Sequence, residues 1–315
     1  MRARAALLAL SLGAAGVELG CRQCPASPAG LVPAGSSAAT GRAGAPGSAT
    51  APFVATAPGG ARLAAGDLGT CAIAADGRLF CWGDHEAGDT AGLPGPTHRL
   101  PREIPAVPAP VRAVDVGRDG ACAIGADHRA WCWSERWQRH RPRQTEREWR
   151  VPEPIAGIPG QVVAVAVGDS AGSCAVTDAG ALHCWGDAGA LLGLGPRQQR
   201  PAASPAVGIT GEVVAVSVGF ESVLALTADG TVWGAGLLGP RGQRERNPPN
   251  PAAGFVRLGG GYAGVHAEDF DDYAIDRAGR VCAFRDGAFA PVPGLDAGVR
   301  ALAGDASLGC ALLGD

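Results

Sequence analysis

Apolar and polar positions alternate in three stretches of this chain that read almost alike. Val111 to Gly117 is VRAVDVG, Val162 to Gly168 is VVAVAVG, and Val213 to Gly219 is VVAVSVG. Alternation at period 2 is the pattern of a half-buried strand, and the closing glycine is expected where the chain turns. Gly117, Gly168 and Gly219 recur every 51 residues, and Gly66 extends the series back by the same interval. A fixed interval of this size predicts a repeat architecture.

A second pattern follows each of these glycines. Cys71-AIAADGRLF-Cys81-Trp82-Gly83 is repeated as CAIGADHRAWCWS from Cys122, CAVTDAGALHCWG from Cys174 and LALTADGTVWGAG from Leu224. A weaker copy, YAIDRAGRVCAFR, begins at Tyr273, and Cys310-Ala311-Leu312-Leu313 opens a sixth. Two apolar strands flanking an Asp/Gly turn make a β-hairpin, with Gly77, Gly180, Gly230 and Gly279 fitting a left-handed residue that closes a three-residue loop. Counting outward from such a loop sets Cys71 opposite Cys81, Cys122 opposite Cys132 and Cys174 opposite Cys184. Alternate rungs make these non-hydrogen-bonded pairs, about 4.5 Å apart at Cα and within disulfide range. The fourth copy replaces both partners together, by Leu224 and Gly234, as a bonded pair predicts. Six buried thiols or zinc are the alternatives, although zinc sites use short clustered spacings instead of C-x₉-C across a turn.

A strand, a hairpin and a further strand over about 50 residues form a small antiparallel sheet that must bury its faces on neighbours. The expected fold class is therefore all-β, a β-propeller of about five to seven antiparallel blades, an incomplete ring included. With Gly 49, Pro 25 and only 5% aromatic residues, composition agrees with short strands and tight turns. All 27 basic residues are Arg, a compositional bias from which no mechanism follows. The formal net charge of -3 gives no attraction to nucleic acid or anionic membrane, and no nucleic-acid partner is expected.

The N-terminus has its own organisation. Arg2 and Arg4 precede the uncharged run Ala5 to Val17, the layout of a secretory signal peptide over residues 1–20. Leu19-Gly20-Cys21 is similar to the end of a bacterial lipoprotein signal, which implies a lipid on Cys21 and membrane contact through that anchor alone; Glu18 departs from the pattern. Ordinary cleavage, with Cys21 and Cys24 joined, is the other expected outcome. Residues 21–58 are rich in Ala, Gly, Pro, Ser and Thr with few large apolar groups, so they are expected to form a disordered tether ahead of a repeat domain over 59–315. Export and disulfides support one another and place the domain in the cell envelope or outside the cell.

The succession of V-x-A-V-x-x-G, C-A-[IVL]-x-x-x-G and C-W-G resembles bacterial members of the regulator of chromosome condensation repeat family, from about residue 60 onward. The resemblance implies a propeller, usually of seven blades, in which the segment around Ala61 to Gly66 could complete the last blade. It also implies an outer strand ending in a Gln-Leu-Gly-like element, supported here only by Leu191-Leu192-Gly193-Leu194-Gly195. Exchange on a small GTPase, chromatin binding and inhibition of a secreted enzyme are activities that the resemblance brings into view. Export, disulfides and the lack of net positive charge speak against the first two.

Candidate chemistry is sparse. Asp76, Asp127, Asp178 and Asp229 sit at hairpin turns, where Asp favours turn geometry. Trp82, Trp133 and Trp185 follow equivalent cysteines and read as packing residues. His183 has no motif-spaced metal partner, and Gly259-Gly260-Gly261 lacks what phosphate binding needs. No catalytic, metal or cofactor site is expected; a hydrolase or lyase would need carboxylates or histidines converging on a central channel. Two segments break the repeat. Ser134 to Arg150 carries Arg136, Trp137, Arg139, Arg141 and Trp149, residue types enriched in binding hot spots, and is the favoured contact loop. Gly259 to Asp272 reads as an insertion with an exposed acidic loop at Glu268, Asp269, Asp271 and Asp272. Cys282 lies one position off register, with Cys310 as its one candidate partner. The expected function is an exported, non-enzymatic scaffold that presents loops to an unidentified protein or cell-surface polymer.

Overall fold

The computed structural model describes residues 62–66, 69–83, 98–117, 120–134, 152–168, 172–186, 200–240, 254–268, 271–305 and 308–314. The expected signal peptide and tether, with Cys21 and Cys24, lie outside them.

Each repeat forms one four-stranded antiparallel sheet with its strands in chain order. The first holds β1 Leu63–Ala65, β2 Gly69–Ile73, β3 Leu79–Gly83 and β4 His98–Glu103, and the second holds β5 Ala113–Val116, β6 Gly120–Ile124, β7 Ala130–Ser134 and β8 Glu153–Pro154. The third runs through β9 Val162–Val167, β10 Ser173–Thr177, β11 Leu182–Gly186 and β12 Arg200–Pro205. In the fourth are β13 Val213–Val218, β14 Ser222–Thr227, β15 Val232–Gly236 and β16 Val256–Gly259, and in the fifth β17 Tyr262–Ala267, β18 Asp272–Asp276, β19 Val281–Arg285 and β20 Ala288–Pro291. A sixth unit pairs β21 Val299–Asp305 with β22 Leu308–Leu313.

Three expectations are corrected. Leu63–Ala65 pairs with its own hairpin, Ala64 opposite Cys71, and completes no later sheet. The link from Gly66 is short, and Ile73 donates its N–H to the Arg62 carbonyl, so the local hairpin takes this strand. The segment read as an insertion contains β17, the first strand of the fifth sheet; Tyr262 stands where the other copies carry Val and Glu268 where they carry the closing Gly, which hid the repeat. Finally, a fourth strand is present in all five sheets, although its sequences share no motif.

The first strands lie side by side in chain order, so the core is a series of layers between successive sheets. One layer joins Cys71, Ile73, Leu79 and Cys81 to Val114, Val116, Ala123 and Trp133. The next joins Cys122, Ile124 and Cys132 to Val165, Ala175 and Trp185, and a third joins Cys174, Val176 and Cys184 to Val216, Val218 and Ala225. Thus the cysteine face of each sheet packs on the next sheet. A backbone hydrogen bond repeats across every junction: Val111, Val162, Val213, Tyr262 and Val299 donate to the carbonyls of Gly77, His128, Gly180, Gly230 and Gly279 at 2.8–3.0 Å.

The glycines that close the first strands form a collar. A Cβ on Gly66 would lie 2.6 Å from the Gly117 carbonyl oxygen, on Gly168 2.5 Å from that of Gly219, and on Gly219 2.5 Å from that of Glu268. Glycine is needed there so that neighbouring backbones can touch, and not to turn the chain.

Candidate functional site

The hairpins have the expected register, with three-residue turns closed by Ala74 N–H to the Arg78 carbonyl and its equivalents. Cys71 faces Cys81, Cys122 faces Cys132 and Cys174 faces Cys184. Each pair is joined in a disulfide with its Cα atoms 4.1 Å apart. In the fourth hairpin Leu224 faces Gly234, and in the fifth Tyr273 faces Ala283. Cys282 is one position off this register, as its spacing indicates, and pairs across the strands with Ala274. It forms no bond to Cys310: both are free, Cys282 buried and Cys310 exposed. Opposite β21, Cys310 takes the same kind of place that Leu224 takes opposite β13, so the two thiols belong to different sheets and different faces.

The turn carboxylates are engaged locally. Asp76, Asp127 and Asp229 accept the N–H of Arg78, Arg129 and Thr231 at 2.9–3.2 Å, and Asp178 accepts that of Gln161. Arg78 hydrogen bonds hold the Asp76 carboxyl below its usual range, and those from Thr227 and Thr231 do the same for Asp229. Trp133 and Trp185 are buried in the layers that hold the disulfides of the preceding sheet, whereas Trp82 in the first sheet is half-buried.

Polar groups gather instead on the first strands. Asp115, Ser217 and His266 each lie two residues before the collar position of their strand. Asp115 Oδ2 accepts the Val167 N–H at 2.7 Å and Ser217 Oγ accepts the Ala267 N–H at 2.9 Å, so each caps an edge amide of the next sheet. Burial pushes the Asp115 carboxyl up, opposed by the N–H groups of Val167 and Val116 and by the charge of His266.

His266 Nε2 is 3.0 Å from Glu268 Oε1, and both side chains are mostly covered. Asp271 accepts from Tyr273 at 3.1 Å and forms a 2.8 Å ion pair with Arg285. Burial, then the nearby Asp271 and Glu268 charges, push the Tyr273 phenol well above its usual value. Asp272, fully buried, accepts Ser222 Oγ at 2.6 Å and the Gly239 N–H at 2.7 Å. The acidic segment is therefore a packed network and not an exposed loop, at the three acids that are described; Asp269 lies outside them. His183 is buried with Nδ1 unpaired, and burial lowers its basicity.

Among the described residues no group of three or more His, Cys, Asp or Glu side chains is placed to hold a metal ion. The favoured contact loop, with Arg136, Trp137, Arg139, Arg141 and Trp149, lies outside the described residues, as does Leu191 to Gly195.

Comparison with known proteins agrees with this architecture. Residues 61–88 match the family model of the regulator of chromosome condensation (RCC1) repeat. Human WBSCR16 superposes with a TM-score of 0.60 at 18% identity, over 73% of this chain and 66% of its own. Yeast RCC1 (Prp20), in its complex with Kap60, gives 0.64 at 14% identity, over 80% and 67%. Prp20p of Saccharomyces cerevisiae, described with its binding to Gsp1p and histones, gives 0.61 at 16% identity, over 80% and 68%. The chain thus spans about two thirds of the length of these structures, and the likeness is one of fold. Residues 61–88 thus carry the regulator of chromosome condensation repeat, its hairpin recurs through five four-stranded sheets, and the chain shares the fold of these RCC1-like structures.

Proposed function

We propose that this chain is an exported, non-enzymatic scaffold that binds a protein or surface polymer through the loops interrupting its repeats, above all the loop carrying Arg136, Trp137, Arg139, Arg141 and Trp149. The observation that carries the reading is how fully the described polar groups are occupied. Turn carboxylates hold their own hairpins, Asp115 and Ser217 cap neighbouring strands, and the acids of the fifth sheet are paired. A rigid frame with its polar groups so used serves to position what its loops present. The three disulfides fit an oxidising compartment. A signal peptide and lipid on Cys21 complete the proposal for its location.

A pull-down with crosslinking tests the loop. Purified domain should capture a partner from envelope or culture fractions, and the variant with Arg136, Trp137, Arg139 and Arg141 changed to Ala should lose it. Equal capture by both would refute the loop assignment. A second reading, regulation of a small GTPase, draws on the fold shared with Prp20p, which is described with binding to Gsp1p. An exported chain would not meet a cytosolic GTPase, so detection of the mature protein in the cytosol would favour that reading.

A further inference from the structure

The three sheets that carry bridges differ at their outer strands. β4 and β12 are six residues each, and their pairing runs past the cysteine, from Cys81 on to Gly83 and from Cys184 on to Gly186. β8 is two residues long and pairs, among the described residues, with Trp131 and Cys132 of β7 alone. The sequence Pro152-Glu153-Pro154 accounts for this, because neither proline has an N–H to give to a ladder. Burial of the bridges follows the same order. Cys71, Cys81, Cys174 and Cys184 are 0% exposed, whereas Cys122 is 2% and Cys132 is 6% exposed. Trp133, the next residue of β7, is fully buried, and its indole N–H finds no acceptor among the described residues. A buried donor without a partner gains a hydrogen bond to water when its strand opens, so β7 combines a short outer ladder with a bias towards opening.

We propose that the Cys122–Cys132 bridge is the redox-sensitive point of the scaffold, cleaved by a strong dithiol reductant ahead of Cys71–Cys81 and Cys174–Cys184. Opening of β7 from β8 lets a thiolate of the dithiol reach Cys132 Sγ. Its attack forms a mixed disulfide and expels the Cys122 thiolate, which takes up a proton. The second thiol of the reductant then loses its proton and displaces Cys132 Sγ, which is protonated in turn. Two protein thiols result, and the dithiol leaves as a cyclic disulfide, oxidised by two electrons. Without its bridge the β6–β7 hairpin opens at lower free energy. The fourth hairpin, with Leu224 opposite Gly234, has no bridge to lose and is unaffected.

Graded dithiothreitol treatment of the folded wild-type chain tests this and needs no variant. Thiols freed under native conditions are alkylated with light iodoacetamide, the remainder with a heavy form after denaturation and full reduction, and the peptides are analysed by mass spectrometry. Cys122 and Cys132 should acquire the light label severalfold faster than the other four bridge cysteines. In parallel samples hydrogen exchange over Gly120–Ser134 should quicken severalfold once that bridge is open, with exchange over Ser222–Gly236 unchanged. Equal labelling of the three bridges, earlier labelling of either of the others, or unchanged exchange over Gly120–Ser134 would overturn the proposal.

Discussion

His128 occupies the turn place that glycine holds in the other hairpins and takes φ of 57°, a left-handed conformation that costs an ordinary side chain free energy. His128→Gly should therefore stabilise the protein by about 0.5–1 kcal/mol, read as a raised denaturation midpoint. Gly77→Ala should do the reverse, because φ is 84° and the new Cβ would run into Pro110. Asp115 and His183 respond to pH in opposite senses. The folded chain holds the Asp115 carboxyl above its ordinary value of 3.8, so its ionised form is penalised, and that penalty is absent below pH 3.8 and grows as pH rises through the folded value. Asp115→Asn should be more stable than wild type at pH 7, the gap closing in acid, as denaturant titrations at several pH values would show. His183 has a folded value below 6.5 and stays neutral inside while the unfolded chain takes up a proton, so stability is complete above pH 6.5 and falls below it. His183→Phe, matching Phe80 at the same register place, should flatten that acid limb in thermal melts. The turn glycines were legible from their neighbours in sequence. The purpose of Gly66, Gly117, Gly168 and Gly219 was not, because the atom each avoids is a carbonyl one sheet away.

The hairpin is the element that the sequence announces most clearly, since turn, register and cysteine pairing are all local. Its fourth and fifth copies replace the bridge with Leu224–Gly234 and Tyr273–Ala283, so among the described residues cross-linking is confined to the first three sheets. Removing one bridge, as in Cys122→Ala with Cys132→Ala, should cost about 2–3 kcal/mol by the loop-closure argument, measured by chemical denaturation. The native bridges should resist a mild reductant, for Cys71, Cys81, Cys174 and Cys184 are fully buried. Strand β17 escaped recognition because Tyr262 and Glu268 replace the Val and Gly that bound the other first strands, and the outer strands because pairing to β3, β7, β11, β15 and β19, not a shared sequence, makes them strands.

At the scale of the molecule, successive sheets are held by one repeated set of contacts: a cysteine or aliphatic face against the next sheet, a turn carbonyl receiving an N–H, and a glycine collar. The period of 51 residues carried this much, because each copy must present the same faces to its neighbours. The networks around Asp115 and Asp272 were not legible, since their partners come from other repeats and no spacing encodes them. Binding through the interrupted loops rests on what this frame leaves available, so the frame itself is the claim to test first. Peptide mapping under non-reducing conditions, after alkylation of free thiols, addresses it directly. The expected linkages are Cys71–Cys81, Cys122–Cys132 and Cys174–Cys184, each within one hairpin, with Cys282 and Cys310 alkylated once the chain is denatured. Free thiols at the first six positions, or bridges between different hairpins, would contradict the register on which every sheet is built.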